Sequence, residues 1–427
     1  MKNHDHIFSS RPASSFRRKL LYNYKGLAFA PYGEYWKQVR KICVLQLLTK
    51  KRVQSFQPVR EEETKAMIEI IERSCSSSPS FSALVDLRKV LMSLSNDVTC
   101  RVALGKKYGR EGAGGLRFRK MIAEFMYLVG VFNVGDYIPW LGWVNYIVGL
   151  EQRREKNFEE INSFLDQVIE DHILRRRRKD YGDNDNDVDG VGQDFVDFLL
   201  QIQEDKSAEN ITGRENIKAI IMDMFAAGTE TSSILLEWTM ARLLQHPEVM
   251  EEVQKEVRGV AFTTGKANIT EDDIEHMPYL KAVIKETLRL HPPLPLLPRE
   301  STEDAKIYEY DIPAKTTVII NAWAIGRDPE SWDDPDQFKP KRFMNDASSI
   351  DFNGHDFQFI PFGAGRRGCP GINFANSLIG LALASLLHKF DWALPNGENG
   401  EALDLTEVLG ISSNLKSPLL AVATPHY

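Results

Sequence analysis

Cysteine is scarce in this sequence, with four in 427 residues at positions 43, 75, 100 and 369. None forms a C-x-x-C pair, which excludes a disulfide scaffold and an ordinary zinc site and makes a reducing compartment the default. Long apolar runs are missing too. No stretch reaches the ~18 consecutive apolar residues of a membrane-spanning helix. The most apolar long segment, Met126 to Leu150, is interrupted by Asn133, Asp136 and Pro139 and reads as core with an interfacial surface at most. Charge of one sign is not in excess: 53 basic against 60 acidic residues give −7, which argues against nucleic acid as a partner. No G-x-G-x-x-G follows a strand-like run, so a nicotinamide reductant is expected to bind elsewhere. The start, Met1 to Asp5, is polar and is no signal peptide. What is present is a globular composition, 43% apolar, long enough for one large domain or two small ones.

The most informative stretch is Phe362-Gly363-Ala364-Gly365-Arg366-Arg367-Gly368-Cys369-Pro370-Gly371. Glycines at this density trace a tight loop that needs positive φ or close backbone approach. The apolar pattern from Ile372 to Phe390 predicts a helix directly behind it, so Cys369 sits before a helix N-terminus, where partial positive charge favours the thiolate. An ionised, preorganised sulfur is a metal ligand or a nucleophile. A lone cysteine is more often buried and inert, but Phe-x-x-Gly-x-Arg-x-Cys-x-Gly fixes five positions, expected by chance in about one chain in ten thousand or fewer.

On Phe362, Gly365, Arg367, Cys369 and Gly371 the sequence resembles the haem-thiolate monooxygenases, the cytochrome P-450 family. That resemblance implies that Cys369 is the axial ligand of a haem iron, whose push of electron density favours O–O cleavage. Backbone N–H groups near the sulfur would tune it.

Three further motifs take their meaning from this one. Ala30 to Leu48 predicts a helix carrying Trp36 and Arg40 on one face. By itself this is a routine amphipathic helix; in the family the matching pair bonds a haem propionate, for which Arg is well suited. The capping spacing Thr212 to Glu215 launches a helix to His246, before Pro247, about 50 Å long. Its centre, Ala226-Ala227-Gly228-Thr229-Glu230-Thr231, is unusually small and polar, which alone would suit close helix packing as well as a site. It matches the family's signature at Ala227, Gly228, Glu230 and Thr231, which implies a local widening that binds oxygen, with Thr231, Glu230, Gly228 and Ala227 as the catalytic set. Glu286 and Arg289 share a face of a helix over Lys281 to Leu290. In the family they form a buried triad with Arg342, and Lys341 stands where an acidic residue is usual.

Other segments fill in the order. Lys2 to Ile7 reads as a helix end, and helices are predicted over Glu62 to Glu72 and Glu151 to Leu174. Arg175 to Lys179 and the acidic block to Asp187 have little to bury, so 176–193 is expected to be a mobile surface linker. Proline density over His291 to Arg299 forces an extended chain, and Arg299 matches a propionate-binding position. Strands are expected at Thr317 to Asn321 and Leu419 to Thr424. Gly410 to Asn414 corresponds to a tip lining the substrate cavity in relatives. Lys37, Arg40, Lys41, Lys50, Lys51 and Arg52 form a basic cluster able to dock an acidic electron donor.

Together the resemblance implies a mainly α fold with a small β sheet, one cytochrome P-450 domain over 1–427, of the plant microsomal type. The family's membrane anchor and first strands are expected to be absent, as in a truncated form. Haem b would be held by Cys369 and by Trp36, Arg40, Arg299, Phe362, Gly365, Arg367 and Gly371. O2 would be the oxidant, with electrons from an NADPH-cytochrome P-450 reductase at the cytosolic face of the endoplasmic reticulum membrane. The substrate would be a small hydrophobic specialised metabolite. Two other readings stay open: a haem-thiolate aldoxime dehydratase and a non-catalytic fragment.

Overall fold

The computed structural model describes residues 3–108, 113–180, 193–205, 213–344, 350–397, 400 and 403–426. Helices dominate, in the order α1 (Glu34–Ile42), α2 (Gln57–Ser76), α3 (Leu87–Leu104), α4 (Ala113–Gly130), α5 (Leu150–Asp180), α6 (Phe195–Glu204), α7 (Arg214–Gln245), α8 (Pro247–Thr264), α9 (Pro278–Leu290) and α10 (Ile372–Lys389), with shorter turns between. Proline sits in the first turn of α2, α8 and α9, where its missing N–H costs nothing. Gly265, at φ 64°, closes α8 in the left-handed conformation typical of helix ends.

Strand pairing is sparse. β1 (Ala83–Asp86), β9 (Leu420–Pro425) and β6 (Phe390–Ala393) make an antiparallel three-stranded sheet in the order β1-β9-β6. β2 (Leu296–Glu300) pairs with β5 (Thr317–Asn321), β3 (Ala305–Ile307) with β4 (Tyr310–Ile312), and β7 (Glu407–Leu409) with β8 (Ser413–Leu415).

The chain divides into two compact units, residues 1–52, 99–227 and 298–319, and residues 53–98, 228–297 and 320–427. The first contains α1 and α4 to α6. Here α5 packs on α4, and Asn157 Nδ2 ties it to Met121 O at 2.9 Å. The second is built on α10, whose residues Leu378 to Leu387 are all buried, as befits a helix apolar all round. Helices α2, α8 and α9 pack around it.

Several expectations are corrected. Residues 3–8 form turns rather than a helix end, held by Thr302 N donating to Ile7 O and by a bridge between Ser10 and Glu300. The helix expected over Ala30 to Leu48 is α-helical only to Ile42 and continues as a π turn, Cys43–Leu47, with Leu48 N bonded to Cys43 O. The supposed linker 176–193 begins inside α5, because Arg175 reaches Asp194 and Asp197, and Arg176 reaches Glu204, giving the basic block partners. Its remainder, 181–192, and Thr212 lie outside the described residues. Among the described residues one helix, α7, is long and apolar enough by composition to cross a membrane, and most of that window is buried as in a core helix.

The β7–β8 hairpin is locked by a buried histidine. His291 stacks on Trp238 with ring centroids 3.8 Å apart, its Nε2 lies 2.9 Å from Arg242 Nε and its Nδ1 2.8 Å from Glu407 Oε1. Arginine can only donate, so Nε2 accepts and the proton sits on Nδ1. Burial pushes the imidazole down to about 4, with Arg242 adding to the effect against the pull of Glu407. The unfolded chain therefore binds one more proton than the folded one between pH ~6.5 and ~4, and stability falls as pH drops through that window, by on the order of 3 kcal/mol. In His291→Phe the fall across this window is expected to shrink by that amount. Denaturant unfolding at pH 7 and pH 4.5 checks it; an unchanged difference refutes it.

Candidate active site

In the second unit the cysteine loop is a closed backbone structure. Gly363 and Gly365 take φ of 69° and 65°, values a side chain would strain. Gly365–Arg367 makes one 3-10 turn, Gly368 N donates to Gly365 O at 3.0 Å, and Cys369 N donates to Phe362 O at 2.9 Å. Phe362 anchors the loop edge-on against Phe352. Gly371, the residue before α10, donates its N–H to Cys369 Sγ at 3.3 Å. The other three cysteines are buried and Cys369 is exposed, so the one thiol presented outward is the one at a helix N-terminus with an N–H aimed at it. Arg367 is buried beside it in sequence, Arg366 exposed.

The meander before the loop hangs on Glu286. Arg289 clasps its carboxylate through Nε and Nη2 at 2.8 Å each, with both side chains fully buried. Arg342 Nε adds a bond at 3.0 Å, and Lys339 N another at 2.8 Å. The spare guanidinium donors of Arg289 take the carbonyls of Gly326, Pro335 and Gln337. Lys341, at the position where the family usually has an acid, pairs at the surface with Glu252 at 2.9 Å.

The polar centre of α7 is helical throughout, with Gly228 half-buried within it. Ala227 is exposed within an otherwise mostly buried run. Glu230 Oε1 accepts from Ser412 Oγ at 2.8 Å, and Oε2 is buried without a hydrogen-bond partner. Burial raises this carboxyl above the ordinary range, against lowering contributions from Ser412 and Asn414. Thr231 follows on the same helix. Sequence reasoning missed Ser412 and Asn414 in this role.

In the first unit, the predicted propionate ligands form a cationic group. Arg299 is buried, and burial lowers its guanidinium to about 9, with Arg11 and Arg40 lowering it further. Arg11, also pushed down by burial, to about 10, bonds Pro298 O and Ala28 O. Its signal in the sequence was an arginine fixed before a proline in an extended segment. Arg40 lies over the Trp36 ring at 5.4 Å, and the buried indole N–H donates to Leu27 O at 3.1 Å. A buried arginine depressed by two neighbouring cations fits an anionic group, and a thiol at a helix N-terminus fits a soft metal; both are what a haem would require of its residues.

A family model described as Cytochrome P450 matches residues 1–419. The chain is 50% identical over 430 residues to cytochrome P450 736A117 of Prunus mume, covering all of this chain and 80% of that protein. It is 51% identical over 427 residues to cytochrome P450 71A4 of Solanum melongena, covering 100% and 81%. To (+)-menthofuran synthase of Mentha piperita it is 48% identical over 426 residues, covering 100% and 82%. Among solved structures it is similar to a zebrafish cytochrome P450 with abiraterone, with a TM-score of 0.79 and 25% identity over 99% of this chain and 89% of that one.

Proposed function

The chain belongs to the cytochrome P450 family, and from that premise we propose that it is a haem-thiolate monooxygenase placing one oxygen atom of O2 in a C–H or C=C bond of a small hydrophobic plant metabolite. The observation that carries the reading is the outward Cys369 thiol, preorganised by Gly371 N–H at the start of α10. When bound, haem supplies the iron at which oxygen is activated. The chain's own work is to hold that group through Cys369, Arg40, Arg299 and Arg367, to supply an ionised sulfur, and to deliver protons. The last task falls to Glu230 and the Thr231 hydroxyl, which can pass protons along water in the surface opened by Gly228. The relative named (+)-menthofuran synthase supports a small organic substrate of plant origin.

An aldoxime dehydratase would use the same sulfur and cations but takes no oxygen from air, so the test is product formed per NADPH consumed, in air and under argon. Thr231→Ala should leave substrate binding nearly intact while NADPH oxidation continues without matching product, the electrons leaving as hydrogen peroxide. Turnover under argon that ignores the Thr231 change would favour the dehydratase.

Electrons come, in this proposal, from an NADPH-dependent reductase docking on exposed Lys37, Lys41, Lys50 and Lys51. The protein would meet the endoplasmic reticulum membrane through the aromatic surface between α4 and α5, where Phe132, Tyr137, Trp140 and Ile147 are each at least two-thirds exposed. Both contacts are read in one vesicle assay. Lys37→Glu with Lys41→Glu should slow reduction and flatten its salt dependence, and Trp140→Ser with Trp143→Ser should lower the fraction sedimenting with vesicles. Unchanged reduction at low salt, or unchanged sedimentation, removes the corresponding contact.

A further inference from the structure

We propose that Ser412, at the turn of the β7–β8 hairpin, is a positioning residue that holds the Glu230 carboxylate in the single orientation from which it moves protons. The inference rests on the monooxygenase reading and assigns a residue to its proton path.

The geometry begins with helix periodicity. Glu230, Glu237 and Trp238 stand at i, i+7 and i+8, one face of α7, and all three bond the segment 407–419. Glu230 takes Ser412 Oγ at 2.8 Å. Trp238 Nε1 donates to Ser413 O at 3.1 Å. Glu237 accepts from Leu419 N and, through both oxygens, from Arg88 Nε, each at 3.0 Å, while Arg88 Nη2 reaches Leu415 O at 2.6 Å. The hairpin is thus stitched to the helix, and Ser413 N to Pro293 O adds a further tie.

Within this row Glu230 is the odd member. Glu237 uses both carboxylate oxygens on partners, one of them a cation, as a structural staple does. Glu230 spends one oxygen on a neutral hydroxyl and leaves the other buried and unbonded. Stability would favour satisfying that oxygen, since a buried polar atom without a partner costs free energy; a group that must take and release a proton is served by leaving it open. Ser412 is suited to the holding role because its own lone pair accepts from Asn414 Nδ2 at 3.3 Å, which turns its proton toward Glu230. A lysine or arginine there would pin the carboxylate in its ionised form. Burial raises the Glu230 carboxyl, Ser412 and Asn414 lower it, and no charged side chain enters the balance among the described residues.

The test compares Ser412→Ala and Ser412→Thr with the parent holoenzyme, each also in a Glu230→Gln background. In Ser412→Ala, haem content and substrate-induced spectral shift should hold, product per NADPH should fall about tenfold with peroxide rising to match, and Ser412→Thr should restore it. An independent readout is the infrared band of the protonated Glu230 carboxyl, identified by its loss in Glu230→Gln. Loss of a bond to the charged form should move its titration midpoint up by about one pH unit in Ser412→Ala. An unmoved midpoint, or an equal loss of coupling in the Glu230→Gln background, overturns the proposal. A moved midpoint in a protein whose turnover persists under argon overturns the monooxygenase reading instead and leaves the Ser412 positioning of Glu230 standing.

Discussion

Cys369→Ser is expected to abolish turnover and the absorption band of the reduced, carbon-monoxide-bound form that marks thiolate ligation, while the unfolding midpoint of the haem-free chain stays within about 1 °C of the haem-free parent's. The expectation follows from how the loop is built. Its shape is set by the backbone: the positive φ of Gly363 and Gly365, the Gly368 to Gly365 bond and the Cys369 N to Phe362 O bond. None involves the sulfur. The thiol is exposed, so exchanging sulfur for oxygen leaves no cavity in the core. What serine cannot do is ionise near neutral pH, and the Gly371 N–H and the start of α10 then have no negative charge to stabilise. Retention of a normal thiolate band by the variant would remove Cys369 from the metal-ligand role. A large fall in the melting temperature of the haem-free chain would show that the sulfur holds the loop together.

The elements most legible in the sequence were those with a local cause. Thr317 to Asn321 alternates and is β5, the apolar run from Ile372 is α10, and α7 stops at Gln245, two residues before Pro247. The loop motif was legible because glycine at fixed spacing has few other uses. What could not be read is pairing between distant segments. Glu230 and Ser412 are 182 positions apart, Arg60 and Glu271 211, Arg11 and Pro298 287. No periodicity records such a pair, because each partner alone is an ordinary polar residue. The basic block at Arg175 misled for the same reason: composition shows repelling charges, and only the fold brings Asp194, Asp197 and Glu204 to them. In Trp36 the sequence marked the right buried face without showing that Leu27 O takes its N–H.

Glu286→Ala is expected to lower the free energy of unfolding by about 3–5 kcal/mol and to reduce haem content before it affects the chemistry of molecules that remain loaded. The carboxylate is fully buried and receives four bonds, from Arg289 Nε and Nη2, Arg342 Nε and Lys339 N. Removing it leaves the Arg289 guanidinium inside the protein with only carbonyl dipoles at Gly326, Pro335 and Gln337. It also takes the carboxylate from Arg342 Nε and Lys339 N, two of the bonds that hold the meander running to the cysteine loop. The cost is that of a buried cation deprived of its counter-charge, which exceeds the value of the pair itself. The nearby Lys341–Glu252 pair gives the contrast: both side chains are largely exposed, so Lys341→Ala should change stability by about 1 kcal/mol or less. Denaturant titration of the three proteins, with haem quantified in each, checks both values. A Glu286→Ala protein as stable as Lys341→Ala and fully haem-loaded would mean that the meander is held by its backbone and the aromatic packing of Trp332, Phe343 and Phe359, and that the triad contributes little to placing Cys369.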